Sequence, residues 1–564
     1  MSADSAWPRR LVVCCDGTWQ SSVIGSDNVP SNVTKLCRLI KRLGDDPKKD
    51  SNRKWHQIVY YDGGIGTGAL SSWDKTKQGG TGLGLAENVI EAYNFIALNY
   101  QPGDEIFCFG FSRGAYTARA VAGLVTDIGV IQTRYMQIFP ELYRRYKSNK
   151  HGVKFQDSDA WKEYVNGKPR KDAPNTVNAS KEQIDAQKWE IPPHPDIAIP
   201  GSNKVKVVGV WDTVGSLGIP ELWRFDNMWS RSKYAFHNVS LNENIEHAFH
   251  ALALDEHRKA FLPTLWYIPT DLKNRKKPQD LPELKQVWFP GVHINCGGGS
   301  DDSIGQMDGD KEQLANITFA WMLQCIAPYL TIDVDEFKKT VEQYKMWLSM
   351  VRWNCNYWHK GFWGKAGDWI PNVPVVNPAP DELDPPKRDP NAHPHPELDR
   401  NWGTGPIVDS YTKTYWANGS KARIPGHCET DFFQPDGTWK PEQFTAKGVT
   451  NEYIHPVCAY RQWVRKNEKS ALADFKRDLV KNKGSQGRNW WFHTDGDPLP
   501  EWVILEQDNL GFNFERYWFE QCIKENDDQK NWLKILDTEN NFEIQEKVQP
   551  SFFPTAPEPR PWKS

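Results

Sequence analysis

The chain has 564 residues, 39% of them hydrophobic and 25% charged, a balance that suits a folded soluble protein of a large core with insertions or of two domains. Its formal net charge of −3 removes any whole-molecule electrostatic case for a nucleic-acid partner. The 27 tryptophans and 39 prolines argue against a helical bundle and for an aromatic-rich, loop-rich body; most of the tryptophans read as core, with an aromatic-lined groove or a membrane-facing rim as the alternative.

Residues 1–10 are polar, with Pro8 and two arginines, and read as a flexible tail without the apolar segment of a secretory leader. No apolar run approaches the roughly 20 residues of a membrane span, so a cytoplasmic location is expected. Leu11-Val12-Val13-Cys14-Cys15 has the pattern of a buried parallel strand, and it delivers Asp16-Gly17-Thr18 to the edge of a sheet. A second strand over 56–61 ends in Asp62-Gly63-Gly64. From Gly84 the recurrence of Leu85, Val89, Ala92 and Ile96 predicts a helix, which Pro102-Gly103 stops. Glu105-Ile106-Phe107-Cys108-Phe109 reads as a strand and 115–122 as a helix. Further on, 204–211 is an apolar strand ending at Asp212, 242–258 reads as a helix, 264–268 and 286–289 read as short strands, and Gly291-Val292-His293 follows.

This alternation predicts an α/β fold, a mostly parallel sheet with helices on both faces, occupying 11–330. Within it, the polar, lysine-rich stretch 131–201 sits where a lid would be inserted. Residues 331–553 form a C-terminal region or second domain, with a proline-rich loop at 370–401 and no legible chemical motif; 554–564 read as a flexible tail. No internal repeat is present.

Between the strand and the helix stands Gly110-Phe111-Ser112-Arg113-Gly114, the pattern of a nucleophile elbow. Glycines two positions either side of the serine avoid collisions with the neighbouring strand and helix. The hydroxyl can then project above the sheet, with the Arg113 backbone N–H aimed at a developing oxyanion. A serine nucleophile needs a base and an acid to orient it, arriving in the chain order serine, acid, histidine. Asp212 fits the acid and His293 the base. Asp62 and Asp301 are alternative acids, and His455 is an alternative base that falls far along the chain.

His247 and His250 share a face at i,i+3 of the predicted helix, with His257 further on, but no carboxylate or cysteine pair completes a ligand set, so no metal is expected. Asp301, Asp302, Asp308 and Asp310 lack the spacing of a calcium loop. Gly64-Ile65-Gly66-Thr67-Gly68 loosely matches a dinucleotide fingerprint, yet Ser71-Ser72-Trp73-Asp74 follows instead of an immediate helix, so no cofactor is expected either. The ten cysteines include no Cys-x-x-Cys pair and read as reduced, buried thiols.

Five motifs in one order carry a resemblance: Val13-Cys14-Cys15-Asp16-Gly17-Thr18-Trp19, Tyr61-Asp62-Gly63-Gly64-Ile65-Gly66, Phe109 to Ala115 around Ser112, Gly209-Val210-Trp211-Asp212-Thr213-Val214-Gly215, and Gly291-Val292-His293 with Gly297-Gly298-Gly299. Over roughly 11–321 the chain resembles an uncharacterised α/β-hydrolase domain family that includes type VI secretion phospholipase effectors. The resemblance implies an α/β-hydrolase-like fold, a serine hydrolase with the triad Ser112, Asp212 and His293, and a second oxyanion N–H from Gly17 or Thr18. The family usually carries an aspartate two positions after the histidine, where this chain has Asn295. The expected activity is cleavage of carboxylic esters, with phospholipid acyl esters first, through an acyl-enzyme. The expected partners are a lipid or other ester and a peripherally contacted membrane. An inactive hydrolase fold serving as a binding or scaffold protein, and an acyltransferase using the same triad, are the alternatives.

Overall fold

An eight-stranded sheet organises the described residues. The structure, a computed structural model, describes residues 7–17, 30–46, 53–63, 83–149, 153–172, 180, 187–214, 240–299, 312–345, 402–407, 419–434, 438–465, 470–480, 488–494, 496–505 and 511–523. In chain order the strands are β1 (Arg9–Cys15), β2 (Leu43–Asp45), β3 (Lys54–Asp62), β4 (Glu105–Phe111), β5 (Val205–Trp211), β6 (Ile245–Ala253), β7 (Glu283–Phe289) and β8 (Glu452–Ile454). They lie side by side as β8-β7-β6-β5-β4-β1-β3-β2. Every neighbouring pair is parallel except β2 with β3. The architecture is therefore α/β with a mixed, mostly parallel sheet.

The apolar runs explain why the sheet is covered twice. In β1, Val12 and Cys14 enter one core while Leu11, Val13 and Cys15 enter the other; in β4, Phe107, Phe109 and Phe111 oppose Ile106 and Cys108 in the same way. A strand with both sets apolar is stable only between two layers. Helix α1 (Asn32–Leu39) packs on the first face, and α2 (Leu83–Asn99) and α3 (Arg113–Ile128) pack on the second. On that second face the 131–201 stretch contributes α4 (Phe139–Lys147) and α5 (Asp159–Asn166). Helix α4 is tied down by Phe139 stacked 4.3 Å from Tyr93 and by the Tyr146 hydroxyl donating to Asp127 at 2.7 Å.

The helix expected over 242–258 is instead the interior strand β6. Ile245, Ala248, Phe249 and Leu252 do recur with helical spacing, but residues 248–253 are buried throughout between β5 and β7. Pairing with two neighbours outweighs the local period. The change also removes the shared histidine face, because residues three apart on a strand point to opposite sides. His247 pairs with Glu283 at 2.7 Å, and His250 accepts from the Thr213 N–H at 3.1 Å, so the two imidazoles serve different neighbours. The strand expected over 264–268 shrinks to Ile268–Pro269, which pairs with Gly448–Val449 outside the main sheet.

Beyond β7 the described residues include α6 (His293–Gly297), α7 (Gln313–Ile326), α8 (Pro456–Val464) and α9 (Phe514–Ile523). Strand β8 extends the sheet by pairing Glu452, Tyr453 and Ile454 with Gln286, Val287 and Trp288. Val457, Tyr460, Phe514 and Phe519 lie in the same core as Trp211 and Phe289. Among the described residues no helix is long and apolar enough to cross a membrane.

Candidate active site

Ser112 is the single residue between β4 and α3, with φ 57° and ψ −122°. A side chain rarely adopts this backbone, and it persists where the surroundings enforce it. The flanking glycines show how tightly they do: a Cβ on Gly110 would sit 2.3 Å from the Gly114 carbonyl oxygen, and one on Gly114 would sit 2.1 Å from that of Cys15. The first turn of α3 is thus pressed against the end of β1. Gly114→Ala is expected to cost at least about 1–3 kcal/mol as overpacking, read as a lower denaturation midpoint together with lost ester hydrolysis. A wild-type midpoint would mean that α3 is free to move off β1.

The two other residues arrive on loops at the same carboxyl edge. Asp212 directly follows β5, with φ 39° and its N–H on Ala251 O at 2.8 Å. His293 opens α6, reached from β7 through Pro290-Gly291-Val292. His293 Nε2 lies 2.7 Å from Ser112 Oγ, and its Nδ1 lies 2.6 Å from Asp212 Oδ2. The imidazole is wedged between the Phe111 and Phe261 rings, at 4.8 and 5.0 Å between centroids, and its backbone N–H donates to Glu256 Oε2 at 3.3 Å.

Asp212 is fully buried and has four donors around it. Oδ1 accepts from the Ala253 N–H at 3.0 Å and from Arg423 Nη1 at 2.6 Å; Oδ2 accepts from Arg423 Nη2 at 3.1 Å and from His293. Burial pushes its carboxyl up, but the Arg423 charge and the His293 hydrogen bond outweigh that and hold it far below the usual carboxylate range. An ionised Asp212 can only accept, so His293 Nδ1 carries the proton and Nε2 is the acceptor facing the serine hydroxyl. Burial also lowers the His293 imidazole below its ordinary value, against the opposing pull of Asp212.

Asp16, the first residue after β1, is 1% exposed. Its Oδ2 accepts from Ser31 Oγ at 2.6 Å, Tyr61 OH at 2.8 Å and Thr34 Oγ1 at 2.9 Å, and its Oδ1 accepts from the Gly17 N–H at 2.8 Å. Gly17 thus spends its donor on Asp16. Thr18 and Asp301 lie outside the described residues. Asp62 ends β3 and accepts from Asn88 Nδ2 at 2.6 Å, whereas the carboxylate on His293 Nδ1 is that of Asp212. His455 is committed elsewhere: its Nε2 meets Glu515 at 2.7 Å, and its Nδ1 accepts from the Val457 N–H at the start of α8.

The family model described as T6SS phospholipase effector Tle1-like, catalytic domain, matches residues 9–325, more than half of the chain. The chain belongs to that family. It is a family of phospholipase-type hydrolases. An uncharacterized protein of Saccharomyces cerevisiae is 24% identical over 272 residues, which are 46% of this chain and 33% of that protein. A crystal structure of an uncharacterized protein from Pseudomonas aeruginosa aligns over 56% of this chain and 45% of that one, at 15% identity and a TM-score of 0.25. The chain thus spans less than half the length of each of these relatives.

Against the family pattern, Asn295 has a local explanation. Its Oδ1 accepts from the Val292 N–H at 3.2 Å, closing the first turn of α6, while its Nδ2 donates to Pro406 O at 3.4 Å. An aspartate could do the first and not the second. Arg423, which lies beyond the family-matched segment, was invisible in the sequence, because nothing in Lys421-Ala422-Arg423-Ile424-Pro425 signals a partner 211 residues away.

Proposed function

We propose that this protein is a serine hydrolase on an α/β-hydrolase scaffold, cleaving carboxylic esters and in particular the acyl esters of phospholipids. The observation that carries the proposal is the continuous hydrogen-bonded chain from Ser112 Oγ through His293 to Asp212. As Oγ attacks the ester carbonyl carbon, His293 Nε2 takes the hydroxyl proton, and Asp212 stabilises the imidazolium through Nδ1–H. The carbonyl oxygen becomes an oxyanion beside the Arg113 N–H at the start of α3. The resemblance to the family offers Gly17 or Thr18 for the second donor, and the Gly17 N–H is engaged by Asp16. Collapse of the tetrahedral adduct breaks the bond to the leaving alcohol, which receives the proton from His293 and leaves an acyl-enzyme. Water then attacks the acyl carbon, giving its proton to His293, and the second collapse releases the carboxylic acid and restores Ser112.

Membership of a phospholipase family supports a lipid as the substrate. Contact with the bilayer is peripheral, through exposed aromatic side chains. Phospholipid vesicles incubated with the wild-type protein are expected to release free fatty acid, at a rate well above that of hydrolysis of short soluble esters; Ser112→Ala releases none. Full activity on short esters with none on vesicles or micelles would remove the phospholipid and leave a general esterase.

A further inference from the structure

A buried carboxylate is costly unless it is paired, and in a triad it also has work to do on the imidazole. Asp212 meets both demands through a residue from the C-terminal region. The Arg423 guanidinium is 1% exposed and grips both carboxylate oxygens, so the plane of Asp212 is fixed by a two-point contact and Oδ2 is left facing His293 Nδ1. The same guanidinium donates to Ala253 O at 2.6 Å, at the end of β6, and to the Phe261 carbonyl, whose ring forms one wall of the His293 slot. One side chain therefore joins the acid, the strand end beside it and the aromatic wall of the base.

We infer that Arg423 is a positioning residue of the site, holding Asp212 toward His293 and cancelling its charge, so that the C-terminal region completes the catalytic centre. This rests on the Ser112–His293–Asp212 reading above. The charges facing the imidazole balance: Asp212 with Arg423, and Glu256 with Arg258, which meet at 2.7 Å. His250 accepts from the Thr213 N–H and is neutral, burial depressing it to about 3, and burial raises the thiols of Cys296 and Cys428 out of the titrating range. With each of these negative charges paired to a cation, burial outweighs the pull of Asp212, and the imidazole stays neutral below the pH at which a free histidine protonates. The neutral form is the active base. The wild-type acid limb is therefore expected below about pH 6.5.

Removing the cation while keeping Asp212 leaves one uncompensated negative charge against His293. In Arg423→Gln the acid limb of kcat/KM, or of the fluorophosphonate inactivation rate, is expected to rise by about one pH unit, so the loss of activity is greater at pH 6 than at pH 8. In Arg423→Lys the charge remains and the limb stays in place, but the two-point grip is lost and the plateau falls by about tenfold or more. A Gln variant whose activity falls equally at all pH values overturns the electrostatic role. A Lys variant with the wild-type plateau overturns the positioning role, and it is measurable even if the Gln variant does not fold. Titration of the His293 ring nitrogens by NMR in a Ser112→Ala background reads the same shift without any turnover. An upward shift there, in a protein whose wild-type form ignores the probe, sinks the hydrolase reading and leaves the Arg423 inference standing; no shift sinks the inference while wild-type labelling keeps the hydrolase.

Discussion

Ser112→Ala is expected to abolish labelling by a fluorophosphonate probe and to lower ester turnover by about a millionfold, the loss seen when a triad serine is removed from a hydrolase whose other groups stay in place. The substitution is clean for a structural reason. Alanine keeps the Cβ, so the φ of 57° imposed by the Gly110 and Gly114 contacts is unchanged, and Ser112 Oγ is not a helix cap whose loss would loosen α3. His293 keeps its Asp212 partner and its place between Phe111 and Phe261. Any drop in rate then reports the hydroxyl itself. The measurement is covalent labelling followed by mass determination, with circular dichroism to show that the fold is intact. Equal labelling of both proteins would move the nucleophile away from Ser112 and end the proposed mechanism.

The parts of the fold legible in the sequence are those set by local chemistry. The runs in β1, β4 and β5 are apolar at successive positions, a pattern with few solutions other than a strand buried on both faces. The turn at Ser112 announces itself because the glycines it requires stand two residues either side. Less legible were elements whose identity is decided by neighbours. The segment 242–258 has alanine and leucine at helical spacing, and it becomes β6 because β5 and β7 supply hydrogen bonds on both edges. Helix α1 has Val33, Leu36 and Leu39 at helical spacing and Ser31 capping it on the Thr34 N–H, but eight residues are too short a run for periodicity alone to separate a helix from a buried loop. The edge strand β8 is three residues long and gains its meaning from Gln286 to Trp288, more than 160 positions earlier. Arg423 is the extreme case. A buried cation is conspicuous in a structure, whereas in a sequence it is one of 69 lysines and arginines.

Asp212→Asn is expected to lower turnover by about 10⁴-fold, as in the template triad, and in this protein to destabilise the fold as well. The hydrogen-bond inventory shows why. Asp212 accepts from four donors, and an asparagine amide offers one oxygen. If that oxygen stays on the Ala253 N–H and Arg423 Nη1, the NH₂ group faces both Arg423 Nη2 and His293 Nδ1. The imidazole must then move its proton to Nε2, where it can no longer accept from Ser112. If the amide turns over, His293 keeps its tautomer but the Ala253 N–H is orphaned. In either orientation Arg423 becomes a buried cation without a counter-charge, a defect worth about 3–5 kcal/mol. Urea denaturation is expected to show that loss in Asp212→Asn and its partial recovery in Asp212→Asn with Arg423→Gln, where both charges are gone, while turnover stays low in both. Activity of Asp212→Asn within about tenfold of wild type would be incompatible with Asp212 as the orienting acid. A double variant no more stable than the single one would show that Arg423 is held by its carbonyl partners, Ala253 and Phe261, rather than by Asp212.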